Sequence, residues 1–115
     1  MVDQSVESVL RSFVQKLFGV HRIKPQDANG CNDCNLHFVF MGLEVCICFK
    51  PGAHALDVWT VDPNVPLPNE LVVALQKTLP RIRLHFVSAN VTGQNPKGYL
   101  RVTNVGFDSL QAAVS

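Results

Sequence analysis

Charge is scarce in this sequence. Only 17% of its 115 residues are Asp, Glu, Lys or Arg, and ten basic against nine acidic residues leave a formal charge of +1. Such a balance gives no electrostatic footprint for nucleic acid or for an acidic membrane surface. No run of about 18 apolar residues occurs, which excludes an apolar helix long enough to span a bilayer. The glycines at 19, 30, 42 and 52 stand alone, so no loop is built to cradle a phosphate. The first residues carry Asp3 and Glu7 instead of a basic region followed by an apolar stretch, and no signal peptide is expected. On that expectation the protein is intracellular, cytoplasmic or nuclear. Its four cysteines then read as reduced thiols rather than a disulfide framework. Internal repeats and low-complexity segments are also missing.

Apolar residues, by contrast, make up 47% of the chain. The length suits one domain, residues 1–115, with enough burial to fold unaided. Few charges over that much apolar content leave more apolar surface than a solitary domain needs, which points to a partner or a self-association face. The densest β-branched and aromatic run is LHFVFMGLEVCICFK at 36–50, followed by ALDVWTVD at 55–62. The rest of the chain reads as material that covers this ribbon.

Residues 4–18 predict a helix, because Val6, Val9, Leu10, Phe13, Val14, Leu17 and Phe18 recur at helical spacing. Glu7 and Arg11 form a favourable i, i+4 pair on the other side, Asp3 or Ser5 caps the start, and Gly19 supplies a left-handed stop. Residues 20–24 alternate weakly and predict a short edge strand ending at Pro25. PQDANGCNDCN at 25–35 gathers turn formers into a loop. Two strands follow, 36–41 and 43–50, joined tightly near Gly42. Leu36, Phe38 and Phe40 share one face with Val45, Ile47 and Phe49 across the turn, and the other face is smaller and mixed. After the PGAH turn, Leu56, Val58 and Thr60 alternate with Asp57, Trp59 and Val61 in a third strand. The prolines of DPNVPLP forbid regular structure at 62–68. Asn69 caps a helix over 70–79 that buries Leu71, Val72, Leu75 and Leu79. The segment 81–87 fits a strand through its alternation, or a helix begun by Pro80; the strand is preferred. A final strand at 99–105 and a short helix at 107–114 complete the chain.

Four groupings bear on chemistry. Cys31 and Cys34, with Cys46 and Cys48, form the single candidate zinc set. A Cys-x-Cys pair within a strand holds its thiols about 7 Å apart on one face, which suits zinc poorly; the plainer reading makes Cys46 and Cys48 small core residues. A redox Cys-x-x-Cys needs a strand-to-helix turn, whereas this one leads from a loop into a strand. Nucleophilic pairs can be drawn from Cys34 with His37, or Cys31 with His21 or His54, but no orienting carboxylate accompanies them. Arg81, Arg83 and Arg101, joined by Lys97 and Tyr99, form a small basic patch if the last two strands pair, though such a face is ordinarily just solvated. No cofactor, metal or catalytic residue is assigned, and the chain is expected not to be an enzyme.

The order of helix, glycine, weak strand, adjacent strands, proline-rich crossover and helix resembles the RWD family. The pieces that carry it are VLRSFVQKLFGVHRIKP, LHFVFMGLEVCICF and DVWTVDPNVPLPNELVVALQKT, within residues 9–78. The nearest likeness is to the heads of outer-kinetochore coiled-coil complexes. That resemblance implies a non-enzymatic domain that pairs as a dimer and docks other proteins. Two departures stand out. The Tyr-Pro-x-x-x-Pro turn of the family is represented only by Pro63, Pro66 and Pro68. The family also closes with a helix where 81–87 reads as a strand. With that strand, the order αβββαββα looks more like small dimeric secretion chaperones of bacteria, which are usually acidic and poor in cysteine.

The expected fold is therefore α+β: an antiparallel sheet of three to five strands, with the N-terminal helix and a second helix mainly on one face. The expected function is a protein-interaction and dimerisation module, a scaffold or adaptor subunit, with a homo- or heterodimeric partner. The alternatives are a secretion-type chaperone and a zinc- or nucleic-acid-binding module. The expected interface is the second sheet face, with His37, Val39, Met41, Cys46, Cys48 and Trp59; the exposed side of the 70–79 helix is the alternative.

Overall fold

The structure is a computed structural model that describes residues 6–25, 34–62, 65–79, 81–87 and 99–114. Helix α1 (Val6–Phe18) leads into strands β1 (Ile23–Pro25), β2 (Cys34–Phe40), β3 (Leu43–Lys50) and β4 (Ala55–Thr60). Helix α2 (Asn69–Thr78), strands β5 (Arg83–Val87) and β6 (Tyr99–Thr103), and helix α3 (Phe107–Val114) follow. The six strands form one antiparallel sheet in the order β1-β2-β3-β4-β6-β5. The α+β class with an N-terminal helix is as expected; the strand count exceeds the expected three to five. The extra strand comes from β1, which pairs Ile23, Lys24 and Pro25 with β2. That edge strand lies further along the chain than the weak alternation at 20–24 indicated, because a proline is tolerated where no neighbour needs its N–H. Residues 83–87 are a strand, as their alternation indicated.

Each element forms for a local reason. The apolar stripe of α1 buries Val9, Leu10, Phe13, Val14 and Phe18, and Glu7 and Arg11 meet at 3.7 Å. Gly19 ends the helix at φ +66°, with its N–H donating to the Gln15 carbonyl at 3.0 Å. The proposed caps Asp3 and Ser5 lie outside the described residues. For α2, Asn69 is already helical and the capping position belongs to Pro68, extended at φ −60°, ψ 138°, with no side-chain cap. The proline ring is pre-set for that backbone, so the helix starts one residue earlier than a polar cap would place it. The PGAH turn tightens into a 3-10 turn, Pro51–Ala53.

The hydrophobic core is a single cluster on one side of the sheet. Leu36, Phe38, Val45, Ile47, Phe49, Leu56, Val58, Leu100 and Val102 project from the strands and are at most 1% exposed. Val9, Leu10, Phe13 and Val14 of α1, Leu71 and Leu75 of α2 and Leu110 of α3 close over them. Phe18 stacks on Phe38 at 5.4 Å between ring centroids and tilts against Phe40 at 5.3 Å. Helix α3 returns to pack beside α1. The alternate residues of the strands therefore form a sheet face that no described helix covers. Among the described residues, no helix is long and apolar enough to cross a membrane.

Candidate functional site: the helix-free face of the sheet

Strand residues alternate between faces, so the helix-free face follows from register. One row crosses five strands: Asn35 of β2, Cys48 of β3, Asp57 of β4, Arg101 of β6 and His85 of β5 stand opposite one another in turn. The next row holds His37, Cys46 and Trp59. The last holds Val39 opposite Glu44, and the Glu44 carbonyl accepts the Val61 N–H at 2.9 Å. Five of the six residues of the expected interface thus lie in the rows of this face, although Cys46 and Cys48 are buried within it and offer no contact surface; Met41 sits at the hairpin tip beside Val39.

The middle of this face is polar and buried. Asp57 is the buried charged residue of the described chain, 5% exposed. Arg101 holds it with a parallel fork, Nε to Oδ1 at 2.8 Å and Nη2 to Oδ2 at 2.9 Å. The same guanidinium lies 5.4 Å from the centroid of the Tyr99 ring. The hydrogen bonds that Arg101 donates to Asp57 raise its pKa, so this cation stays charged and committed. This corrects the sequence-level picture of a basic patch. Arg83 and Arg101 do project from the same face, with Arg83 opposite Thr103 and Arg101 opposite His85. Arg101, however, is spent on Asp57, and Arg81 sits before the strand, its carbonyl accepting from Asn104. Asp57 escaped sequence reasoning because an acid in an alternating strand reads as a solvated residue. The signal that marks it is Arg101, an opposite charge of like phase in another alternating strand.

Cys46 and Cys48 are buried, 1% and 4% exposed, which agrees with small, packed thiols. Burial pushes the Cys46 thiol up to about 11, and the nearby Glu44 carboxylate pushes the same way. A thiol so placed is protonated at neutral pH, the reverse of what a nucleophile or metal ligand requires. His37 stands opposite Cys46, but its Nε2 lies 3.7 Å from Oε1 of Glu44, on the solvent side. Cys31 lies outside the described residues, and Cys34 pairs in register with Phe49. Of the histidines drawn into nucleophilic pairs, His21 and His54 are exposed on other parts of the fold. No group of three metal-ligating side chains converges among the described residues.

The thiol shift has a direct consequence. In the unfolded chain the group ionises near 9.0, and in the folded chain near 11. The stability it contributes is complete below pH 9 and is lost as pH rises towards 11, because the unfolded state then releases a proton that the folded state keeps. Urea unfolding of Cys46→Ala should show a shallower loss of stability across that window than the native chain. A thiol reagent at pH 8 should modify Cys46 only at the rate of unfolding.

The apolar part of the face lies at one end. Val39, Met41 and Val61 are 52%, 61% and 46% exposed, and half-buried Trp59 stands behind them. The tip is a two-residue hairpin turn in which Phe40 pairs with Leu43, while Met41 and Gly42 both take positive φ, +53° and +79°. Two positive φ values define the type I′ turn, whose twist suits a hairpin and which favours Asn, Asp or Gly at its first position. Met41 meets that requirement only at a conformational cost.

The chain matches no protein-family model, no curated protein and no solved structure.

Proposed function

We propose that this chain is a non-enzymatic protein-interaction module, a scaffold or adaptor subunit, that binds its partner on the helix-free face at the end formed by Val39, Met41 and Val61. The observation that carries the reading is Met41. A flexible, polarizable apolar side chain stands 61% exposed on a left-handed backbone, where stability and solubility both favour Asn. Strain and exposed apolar area together at one residue fit a contact made outside the chain. Trp and Met are favoured anchors of protein interfaces. The partner segment this end suits is apolar and carries a cation for Glu44, whose carboxylate is exposed between Val39 and Val61 and is approached by His37.

The RWD-like reading, with its kinetochore setting, rests on the shared order of α1, the central strands and α2. Strand β5 falls where that family closes with a helix, which favours the secretion-chaperone likeness, whereas β1 supplies the weak strand of the RWD order and is one strand more than αβββαββα. Both readings make the chain a protein-binding module.

Met41→Asn tests the proposal because stability and binding should move apart. The substitution gives the turn its favoured Asn-Gly pair and should raise folding stability by about 1 kcal/mol. It should also weaken partner binding tenfold or more. A photocrosslinker at position 41 captures the partner, with one at exposed Gln76 of α2 as the control, and titration with the identified partner measures affinity. Equal capture from both positions, or affinity unchanged in Met41→Asn and Val61→Lys, would remove the basis for the assignment.

A further inference from the structure

Among the described residues the sheet has two outer edges, and they differ. The β1 edge is three residues long, ends in Pro25 and carries Lys24. Arg11 of α1 also reaches it, donating from Nη1 to the Ile23 carbonyl at 2.8 Å. Short length, proline and lysine are the devices by which proteins prevent an edge from pairing. The β5 edge has five residues in unbroken register with β6, from Arg83 opposite Thr103 to Val87 opposite Tyr99. It contains no proline or lysine. Phe86 is 73% exposed, the largest exposure among the large apolar side chains described. Its register partner is fully buried Leu100, so Phe86 stands on the helix-bearing side, at the margin of the core layer. The half-buried Leu84 is on the same side.

From this asymmetry we infer that two copies of the chain pair through antiparallel β5 edges, about a two-fold axis at His85, to make one continuous twelve-stranded sheet. The strand is self-complementary in that register. Leu84 of each copy stands opposite Phe86 of the other, so both phenylalanines are covered on the helix-bearing side. Arg83 stands opposite Val87, and the two Arg83 residues are four positions apart along the pair, about 14 Å. That separation exceeds the screening length of about 10 Å at 0.1 M salt. Centring the axis on Leu84 would bring the arginines to about 7 Å, and centring it on Phe86 would set Arg83 and Leu84 opposite residues beyond the described strand. The His85 register pairs all five residues and separates the like charges. Pairing also consumes the open edge of each copy and leaves two blunted β1 edges outside, so the assembly closes as a dimer instead of growing into a fibre. The surface is separate from the Met41 end and can be occupied at the same time.

Sedimentation equilibrium and light scattering of the full chain should give twice the 12.7 kDa protomer mass. Phe86→Lys should weaken the dimer roughly 30-fold or more while leaving the circular dichroism and melting temperature of the dissociated protomer intact, since Phe86 is exposed within its own chain. His85→Cys should form a reducible interchain crosslink on mild oxidation, because directly opposed strand residues bring their Cα atoms within disulfide reach; Lys77→Cys, on α2, should not exceed the native chain. A monomer at every concentration, a dimer that Phe86→Lys leaves unchanged, or crosslinking no greater at 85 than at 77 overturns the inference. Met41→Asn should leave the mass unchanged, so the failure of one proposal is distinguishable from failure of the other.

Discussion

Replacing Arg101 by Ala should lower folding stability by about 2–4 kcal/mol, read from urea or thermal unfolding. The cause is less the lost attraction than what remains. Asp57 is 5% exposed at the centre of the sheet, and both its oxygens are satisfied by the Arg101 fork. Without that fork a buried carboxylate keeps its desolvation penalty and loses its donors. The contact with Tyr99 goes too. Exposure of the guanidinium, with the side chain 36% accessible, keeps the loss below that of a wholly buried pair. The companion experiment replaces both partners, Asp57→Leu with Arg101→Met, and should recover most of the loss because no charge is left unpaired. If the double replacement is as unstable as Arg101→Ala alone, the cost lies in packing rather than in the carboxylate.

A second large effect is expected in the core. Phe38→Ala should destabilise the protein by about 3–5 kcal/mol. Phe38 is 1% exposed and sits between Ile23 and Val45 in register. Its ring stacks with Phe18 at the end of α1. The position joins the first helix, the edge strand and the centre of the sheet, so neighbours from three elements would have to move to fill the void. Phe18→Ala should cost less, since Phe18 lies at the margin of the cluster and is 8% exposed. The double mutant should fall short of the sum by about 0.5–1.5 kcal/mol, the coupling expected of a stacked pair. Strict additivity would mean that the rings contribute as separate apolar surfaces.

Much of the candidate face is legible in the sequence. Alternation in 36–50 and 55–60 separated Leu36, Phe38, Ile47 and Phe49 from His37, Val39, Cys46 and Cys48, and the structure keeps that division. Side-chain period in a strand is two whatever the strand pairs with, so a face can be assigned one strand at a time. The Asp57–Arg101 pair was not legible for the opposite reason. It joins residues 44 positions apart, and their meeting depends on which strands are neighbours, which no local pattern states. The same holds for the basic patch: Arg83 and Arg101 have the right phase to share a face, yet only the register with β4 shows that Arg101 is already paired.

Taken alone, then, the sequence determined the class of the fold, the inner stripe and the end of α1, the two-faced central ribbon and the strand character of 83–87, two residues short of the alternation that begins at 81. These follow from steric and hydrophobic periodicities that act over a few residues. Tertiary structure decided that β6 inserts between β4 and β5, and this one choice has three consequences. It sets Arg101 against Asp57, moves β5 with its exposed Phe86 to the edge, and brings α3 back beside α1. The choice belongs to the whole chain because β4 and β5 could each offer an edge to β6. Only the joint burial of Leu56, Val58, Leu100 and Val102 beneath three helices, with a salt bridge closed on the other side, selects the order in which it pairs with both.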